Sequence, residues 1–216
     1  ALHIQRTALL KQGWNATQIA EHFRQCLDVP ALILPMSHAS VQTHITTPTG
    51  AVHFQEYLVR DRARSAISGI TYRGIEQAQA TAEVIDALTN ASGIIIAPSN
   101  PFVSVGTILA LPGIRQQLSN ARVPRIAISP IVGGSAIKGP AVAMLEHAGV
   151  EISAYGIATL YQGCIDGMVI DTVDAALAPR IAALGMRVCV TDTIMRDSER
   201  KAHLANTCMQ FMAELQ

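Results

Sequence analysis

From residue 76 onward, short apolar runs alternate with stretches whose apolar residues recur at helical spacing. The runs 94–97, 125–128, 167–170 and 187–190 read as buried strands, and Val150–Ile152 as a further short one. Between them the spacing predicts helices over about 76–90, 106–119, 140–148 and 173–184, a helical turn at 155–162, and a long helix from Ser198 to Leu215. Strand, loop and helix repeated in this order require crossover connections of constant hand, and hence a parallel sheet. The predicted fold is α/β, a doubly wound, mostly parallel, Rossmann-like sheet carrying a small β-rich and helical insertion.

Residues 1–75 follow another pattern and are expected to form that insertion, leaving 76–216 as the α/β core of one structural domain. Residues 1–29 are helical in pattern, with a start signal at Asn15-Ala16-Thr17 and apolar positions at Ile19, Ala20, Phe23 and Leu27. Pro30 ends that pattern, and Ala31–Leu34 is strand-like. Val41–Thr46 and Ala51–Arg60, joined by the turn residues Pro48-Thr49-Gly50, read as a β-hairpin to which Ala66–Tyr72 adds a strand.

Composition narrows the function classes. Half of the 216 residues are hydrophobic, 15% are charged and 4% are aromatic, which suits helices packed on a parallel sheet better than a β-sandwich. Lys plus Arg balances Asp plus Glu, and no basic cluster stands out, so nucleic acid is not expected as a partner. No apolar run approaches the ~20 residues of a membrane span. No signal-peptide pattern opens the chain, and Ala1 in place of Met leads us to expect that the start is missing. Cys26, Cys164, Cys189 and Cys208 share no C-x-x-C spacing and are expected as free, buried thiols of a cytoplasmic protein. The long final helix is compatible with a homo-oligomer.

Ligands of open α/β sheets bind outside the carboxyl ends of the strands. Two strands here end in small polar residues, Ile94–Ala97 in Pro98-Ser99-Asn100-Pro101 and Ile126–Ile128 in Ser129-Pro130-Ile131-Val132-Gly133-Gly134. Asn100 either bonds its own backbone in an Asx turn or faces a ligand, with Ser104 at the next helix start. Gly133 and Gly134, followed by Lys138, Gly139 and Pro140, read either as a phosphate cradle or as a tight turn. This is no P-loop, since the lysine precedes its glycine and no Ser/Thr follows it, and no Gly-x-Gly-x-x-Gly is present. Thr191 and Asp192 end the last strand, where Asp192 either points into the crevice or caps a turn, while Asp174 reads as a helix cap. His53, Phe54 and Tyr57 form an aromatic stretch that either stacks on a ring or is an ordinary hairpin face. His38, His44 and His53 lack zinc spacing, and the absence of Gly-x-Ser-x-Gly leaves covalent catalysis without a candidate.

These motifs, taken in order, carry a resemblance. Ala97–Gly106 followed by Leu111-Pro112-Gly113-Ile114-Arg115, and Ile128–Gly134 with Lys138-Gly139-Pro140-Ala141, resemble the 2-phospho-L-lactate transferase family. So do Pro35-Met36-Ser37, His53–Tyr57 and Val190–Met195, so that the likeness runs essentially from end to end.

The resemblance implies transfer of a phospholactyl or phosphoenolpyruvyl group from a guanosine-diphospho donor to the deazaflavin Fo, with loss of GMP, in coenzyme F-420 biosynthesis. It implies Mg2+ as cofactor, nucleotide or phosphate contacts from Ser99, Asn100, Ser104, Ser129, Gly133, Gly134, Lys138 and Gly139, and a deazaflavin seat at His53, Phe54 and Tyr57. The family's glycine-rich loop and its acidic motif are expected to precede Ala1. Two departures lie within the chain: His38-Ala39 stands where the family has two aspartates, and Ala91-Ser92 where it has Ala-Asp. Each removes a carboxylate, which keeps open a nucleotide-sugar-binding regulatory protein or a catalytically impaired homologue.

Overall fold

The computed structural model describes residues 1–136 and 139–216. Its centre is a four-stranded parallel sheet of β4 (Ile94–Ile96), β5 (Arg125–Ile128), β8 (Gly167–Asp171) and β9 (Arg187–Thr191), hydrogen-bonded in that order. The register runs Ile96 to Ala127, Ile128 to Val169 and Ile170 to Val190, so all four strands end at one edge. Every connection steps the same way across the sheet. With a constant hand, the crossover elements then share one face.

That face carries the larger core. Ala127, Met168 and Ile170 meet residues of α4 (Val105–Leu109), α5 (Ile114–Asn120), α6 (Ala141–His147), α7 (Ala154–Tyr161) and α8 (Ala178–Ala182). Val84 and Leu88 of α3 (Ala82–Thr89) pack against its rim. The opposite face, with Ile126, Ile128 and Val169, is covered by α9 (Ser198–Ala213). Leu204, Cys208, Phe211 and Met212 form the buried stripe of α9, at the spacing of one helical face. Burying a large apolar side chain of this kind contributes about 1.5–3 kcal/mol. Gly167 makes the approach possible: a Cβ there would lie 2.7 Å from the Phe211 ring.

The N-terminal third adds two helices and a second sheet. α1 (Leu2–Lys11) and α2 (Ala16–Cys26) are separated at the predicted start signal. The Asn15 side chain accepts the Gln18 amide at 2.9 Å, and the Gln18 side chain accepts the Asn15 amide at 2.9 Å, a reciprocal capping box. β1 (Gln42–Thr47) is the centre of an antiparallel sheet between β2 (Gly50–His53) and β3 (Gly69–Arg73). Ile45, Tyr57 and Met144 join this sheet to α6.

Several expectations need correction. Ala31–Leu34 forms no strand and is largely exposed. Val150–Ile152 is not a strand either: the Val150 amide returns to the Leu145 carbonyl and the Ser153 amide to Glu151, turning the chain from α6 into α7. The helix expected over 76–90 is a short 3₁₀ turn at Ile75–Gln77 followed by α3, which starts at the Thr81 cap. Residues 173–184 divide into a 3₁₀ segment, Thr172–Leu177, and α8, which carries a proline in its first turn. The second hairpin strand stops at His53, because the chain coils into helical turns that continue as a π-helix over Glu56–Arg60. Of the cysteines all are free, but only Cys164 and Cys208 are buried; Cys189 is half-buried and Cys26 exposed. Among the described residues no helix is long and apolar enough to cross a membrane.

Candidate functional site

The strand ends open into a cleft of about 570 Å³. Pro98, Ser99, Asn100, Val103 and Ser104 form the wall after β4, and Ser129 and Pro130 the wall after β5. Thr193, Ile194, Met195 and Arg196 contribute from beyond β9, Gly139, Pro140 and Ala141 from the start of α6, and Phe54 and Leu58 from the turn after β2. Elements from both sheets thus converge on one space at the edge where parallel sheets bind ligands.

Asn100 builds its own turn. Its Oδ1 accepts the amides of Phe102 at 2.9 Å and Val103 at 3.1 Å, an Asx turn that fixes how Ser99 and Ser104 face the cleft. Its Nδ2 donates to the Met144 sulfur at 3.4 Å. Ser129 is likewise occupied: its hydroxyl donates to the Ile131 carbonyl at 2.8 Å and accepts the Ile131 amide at 3.1 Å.

The two glycines take the tight-turn alternative. β6 (Ile131–Val132) and β7 (Ser135–Ala136) pair antiparallel, with Val132 opposite Ser135. Gly133 and Gly134 are therefore the two loop residues of a hairpin, with φ of 57° and 72°, as a type I′ turn demands. The Gly133 amide donates to the Asp174 carboxylate at 3.0 Å, which removes it from any phosphate cradle. Asp174 is thus a strut under this hairpin instead of the cap of its own helix; Asp171 caps that segment by accepting the Val173 amide. Neither Gly133 nor Gly134 lines the cleft, whereas Gly139 does. Lys138 lies outside the described residues.

The aromatic stretch separates into three roles. Phe54 faces the cleft, with Leu58 one helical turn on. Tyr57 is fully buried, its hydroxyl donating to the carbonyls of Ala63 and Ser65, so it belongs to the core and offers no stacking surface. His53 sits on the small sheet, its Nδ1 accepting the Gln55 amide and its ring edge-on to His44 at 5.6 Å. Burial first, then the charges of Arg73 and His53, lower the pKa of His44.

Beyond β9, Thr191 approaches His203 at 3.5 Å, and Asp192 accepts the Ile194 amide at 2.9 Å while pairing with Arg200. Asp192 thus forms the turn and faces a neighbouring hollow of about 470 Å³, not the main cleft. The residue that sequence reasoning passed over is Arg196. It is exposed and, among the described lining residues of the cleft, supplies the cation. Its signal was weak, a single arginine just past the Val190–Met195 motif. Leu58, Thr193 and Met195 were missed with it.

The described lining residues bring no carboxylate to the cleft, and among the described residues no three His, Cys, Asp or Glu side chains cluster as a metal site. Magnesium on phosphates is usually held through one or two carboxylates. This donor set, of hydroxyls and a side-chain amide without a carboxylate, does not compose such a site. His38 and Ala39 are exposed beyond a turn in which the Ser37 hydroxyl accepts the Ala39 amide at 3.1 Å. Ser92 precedes β4 and lines a hollow with Pro124, Arg125 and Asp166, at the opposite ends of the strands from the cleft. An aspartate at that second position would not reach the cleft.

Comparison with known proteins shows what the chain is similar to. The family described as 2-phospho-L-lactate transferase CofD matches residues 1–208. A phosphoenolpyruvate transferase of Streptomyces griseus is 37% identical over 220 residues, spanning 100% of this chain and 69% of the relative. A 2-phospho-L-lactate transferase of Methanosarcina mazei is 34% identical over 210 residues, spanning 97% and 69%. Among solved structures, a Bacillus halodurans protein superposes with a TM-score of 0.60 at 14% identity, covering 90% of this chain and 67% of its own, a likeness of fold alone.

Proposed function

The chain belongs to the 2-phospho-L-lactate transferase family, and from that membership we propose that it moves a phospholactyl or phosphoenolpyruvyl group from a guanosine-diphospho donor to the hydroxyl of the deazaflavin Fo, releasing GMP in coenzyme F-420 biosynthesis. The observation that carries this reading is the composition of the cleft. Its apolar lining of Phe54, Leu58, Val103, Ile194 and Met195 suits a planar ring, and its polar lining of Ser99, Ser104 and Arg196 suits a diphosphate.

In the reaction the Fo hydroxyl oxygen bonds to the phosphorus bearing the lactyl or enolpyruvyl ester, the bond from that phosphorus to the GMP oxygen breaks, and the hydroxyl proton leaves to solvent. Such a displacement needs alignment and charge neutralisation, and no protein nucleophile. Arg196 neutralises charge on the diphosphate in bidentate fashion. Ser99 and Ser104 donate hydroxyl hydrogen bonds from a turn that Asn100 holds rigid. Ser129 and Asn100 act through backbone geometry, since their side chains are engaged within the protein.

Thermal shift with Fo, GDP and UDP-sugars, followed by product analysis with a guanosine-diphospho donor, tests the reading. Stabilisation by Fo together with GDP supports it. A response to UDP-sugar alone sinks it in favour of a nucleotide-sugar-binding regulator.

A further inference from the structure

A second cavity, of about 240 Å³, lies behind the turn that forms the cleft's first wall. Pro101 and Phe102 of that turn line it, with Tyr72 from β3, Leu109 from α4, Arg115 from α5, and Leu160 and Tyr161 from α7. The volume is roughly eight times one water's share of liquid volume, room for a solute of a few heavy atoms.

Its polar groups are unevenly satisfied. The Tyr72 hydroxyl donates to the Phe102 carbonyl at 2.6 Å. Tyr161 is 2% exposed, and its hydroxyl has no hydrogen-bond partner among the described residues. A buried hydroxyl left unpaired costs about 1–3 kcal/mol, so such a group normally has a partner. Arg115 forms no ion pair with a carboxylate among the described residues; its guanidinium donates to the Cys164 sulfur at 3.4 Å, a weak acceptor. Burial raises the pKa of both tyrosines, and the Arg115 charge opposes it at each. Arg115 itself is exposed, which gives the cavity an entrance. Leu109, Leu160 and Phe102 complete it with apolar surface.

We propose that this cavity is a binding site for a small carboxylate carrying a short apolar group, its anion held by Arg115 and the Tyr161 hydroxyl and its apolar part set against Leu109, Leu160 and Phe102. A guanidinium without a carboxylate and a hydroxyl without an acceptor are both answered by one carboxylate, which accepts from each. The apolar walls favour a carboxylate with a hydrocarbon tail over a fully hydrated inorganic anion. This site is distinct from the cleft, and the Ser99–Ser104 turn is the wall between them.

The test is saturation-transfer NMR and calorimetry with sodium isobutyrate, ionic strength held constant with sodium chloride. The wild-type protein is expected to bind saturably, with a dissociation constant of about a millimolar for so small a ligand. Arg115→Gln and Tyr161→Phe are each expected to weaken binding about tenfold or more. Arg115 is on the surface, so its variant keeps the test decisive if Tyr161→Phe fails to fold. Three results would overturn the proposal: a non-saturating response of the wild-type protein, Arg115→Gln binding as well as wild type, or inorganic phosphate displacing isobutyrate at equal concentration.

Discussion

The Asp171 carboxylate at the end of β8 accepts both the amide of Thr193 at 2.9 Å and its hydroxyl at 3.0 Å, tying the end of β8 to the segment that leaves β9. Its other oxygen accepts the Val173 amide and the Thr172 hydroxyl. Thr193 begins the segment that carries Ile194, Met195 and Arg196 into the cleft, so a buried carboxylate outside the cleft sets the position of its cationic wall.

Burial pushes the Asp171 carboxyl up, but the hydrogen bonds from Thr193, Val173 and Thr172 outweigh it and leave the pKa below the usual carboxylate value. A depressed folded-state pKa contributes stability that is present above the unfolded value and is lost as pH falls through the folded one. Asp171→Asn is expected to cost about 2 kcal/mol at neutral pH and to flatten this acid loss. Urea unfolding at a series of pH values between neutrality and the carboxylate range checks both; an unchanged pH slope in the variant refutes the assignment.

Arg196→Ala is expected to leave the melting temperature within about a degree, since the side chain is exposed, while weakening GDP binding about tenfold. Calorimetric titration of both proteins with GDP measures it. Equal affinities would remove Arg196 from the phosphate contacts.

Asn100→Ala loses two turn hydrogen bonds and is expected to destabilise by about 1–2 kcal/mol. Asn100→Asp, whose oxygen also accepts both amides, is expected to recover most of that loss. Denaturant midpoints of the three proteins decide the matter; an aspartate variant no better than alanine would mean that the Nδ2 side matters more than the turn.

Gly134→Ala meets no close atom, with the Ile152 carbonyl at 3.7 Å, yet it forces a left-handed residue to carry a Cβ. The expected cost is about 1–2 kcal/mol, with GDP affinity unchanged because Gly134 does not line the cleft. A fall in GDP affinity at constant stability would restore the cradle reading of this loop.

The parallel core was legible because its strands are apolar on both faces and its connections repeat. Periodicity therefore located β4, β5, β8 and β9 almost to the residue. It failed where local hydrogen bonding competes with pattern. Residues 54–60 alternate like a strand, yet they coil so that Tyr57 reaches the carbonyls of Ala63 and Ser65. At the site, the polar residues after β4 and β5 were found from the general position of ligands on parallel sheets, and Ser99, Asn100, Ser104, Ser129, Gly139 and Phe54 do share one cleft. Spacing had left turn and ligand roles open for Asn100 and the glycines. The choice depended on partners distant in sequence, such as Asp174 for Gly133, which no local pattern encodes.

The covering of one whole sheet face by α9 has a consequence for biosynthesis. α9 follows all four parallel strands in the chain, so during synthesis Ile126, Ile128 and Val169 stay uncovered until its stripe of Leu204, Cys208, Phe211 and Met212 has left the ribosome. Until then the nascent chain carries a half-clad sheet, the state in which chaperones and aggregation compete for a chain.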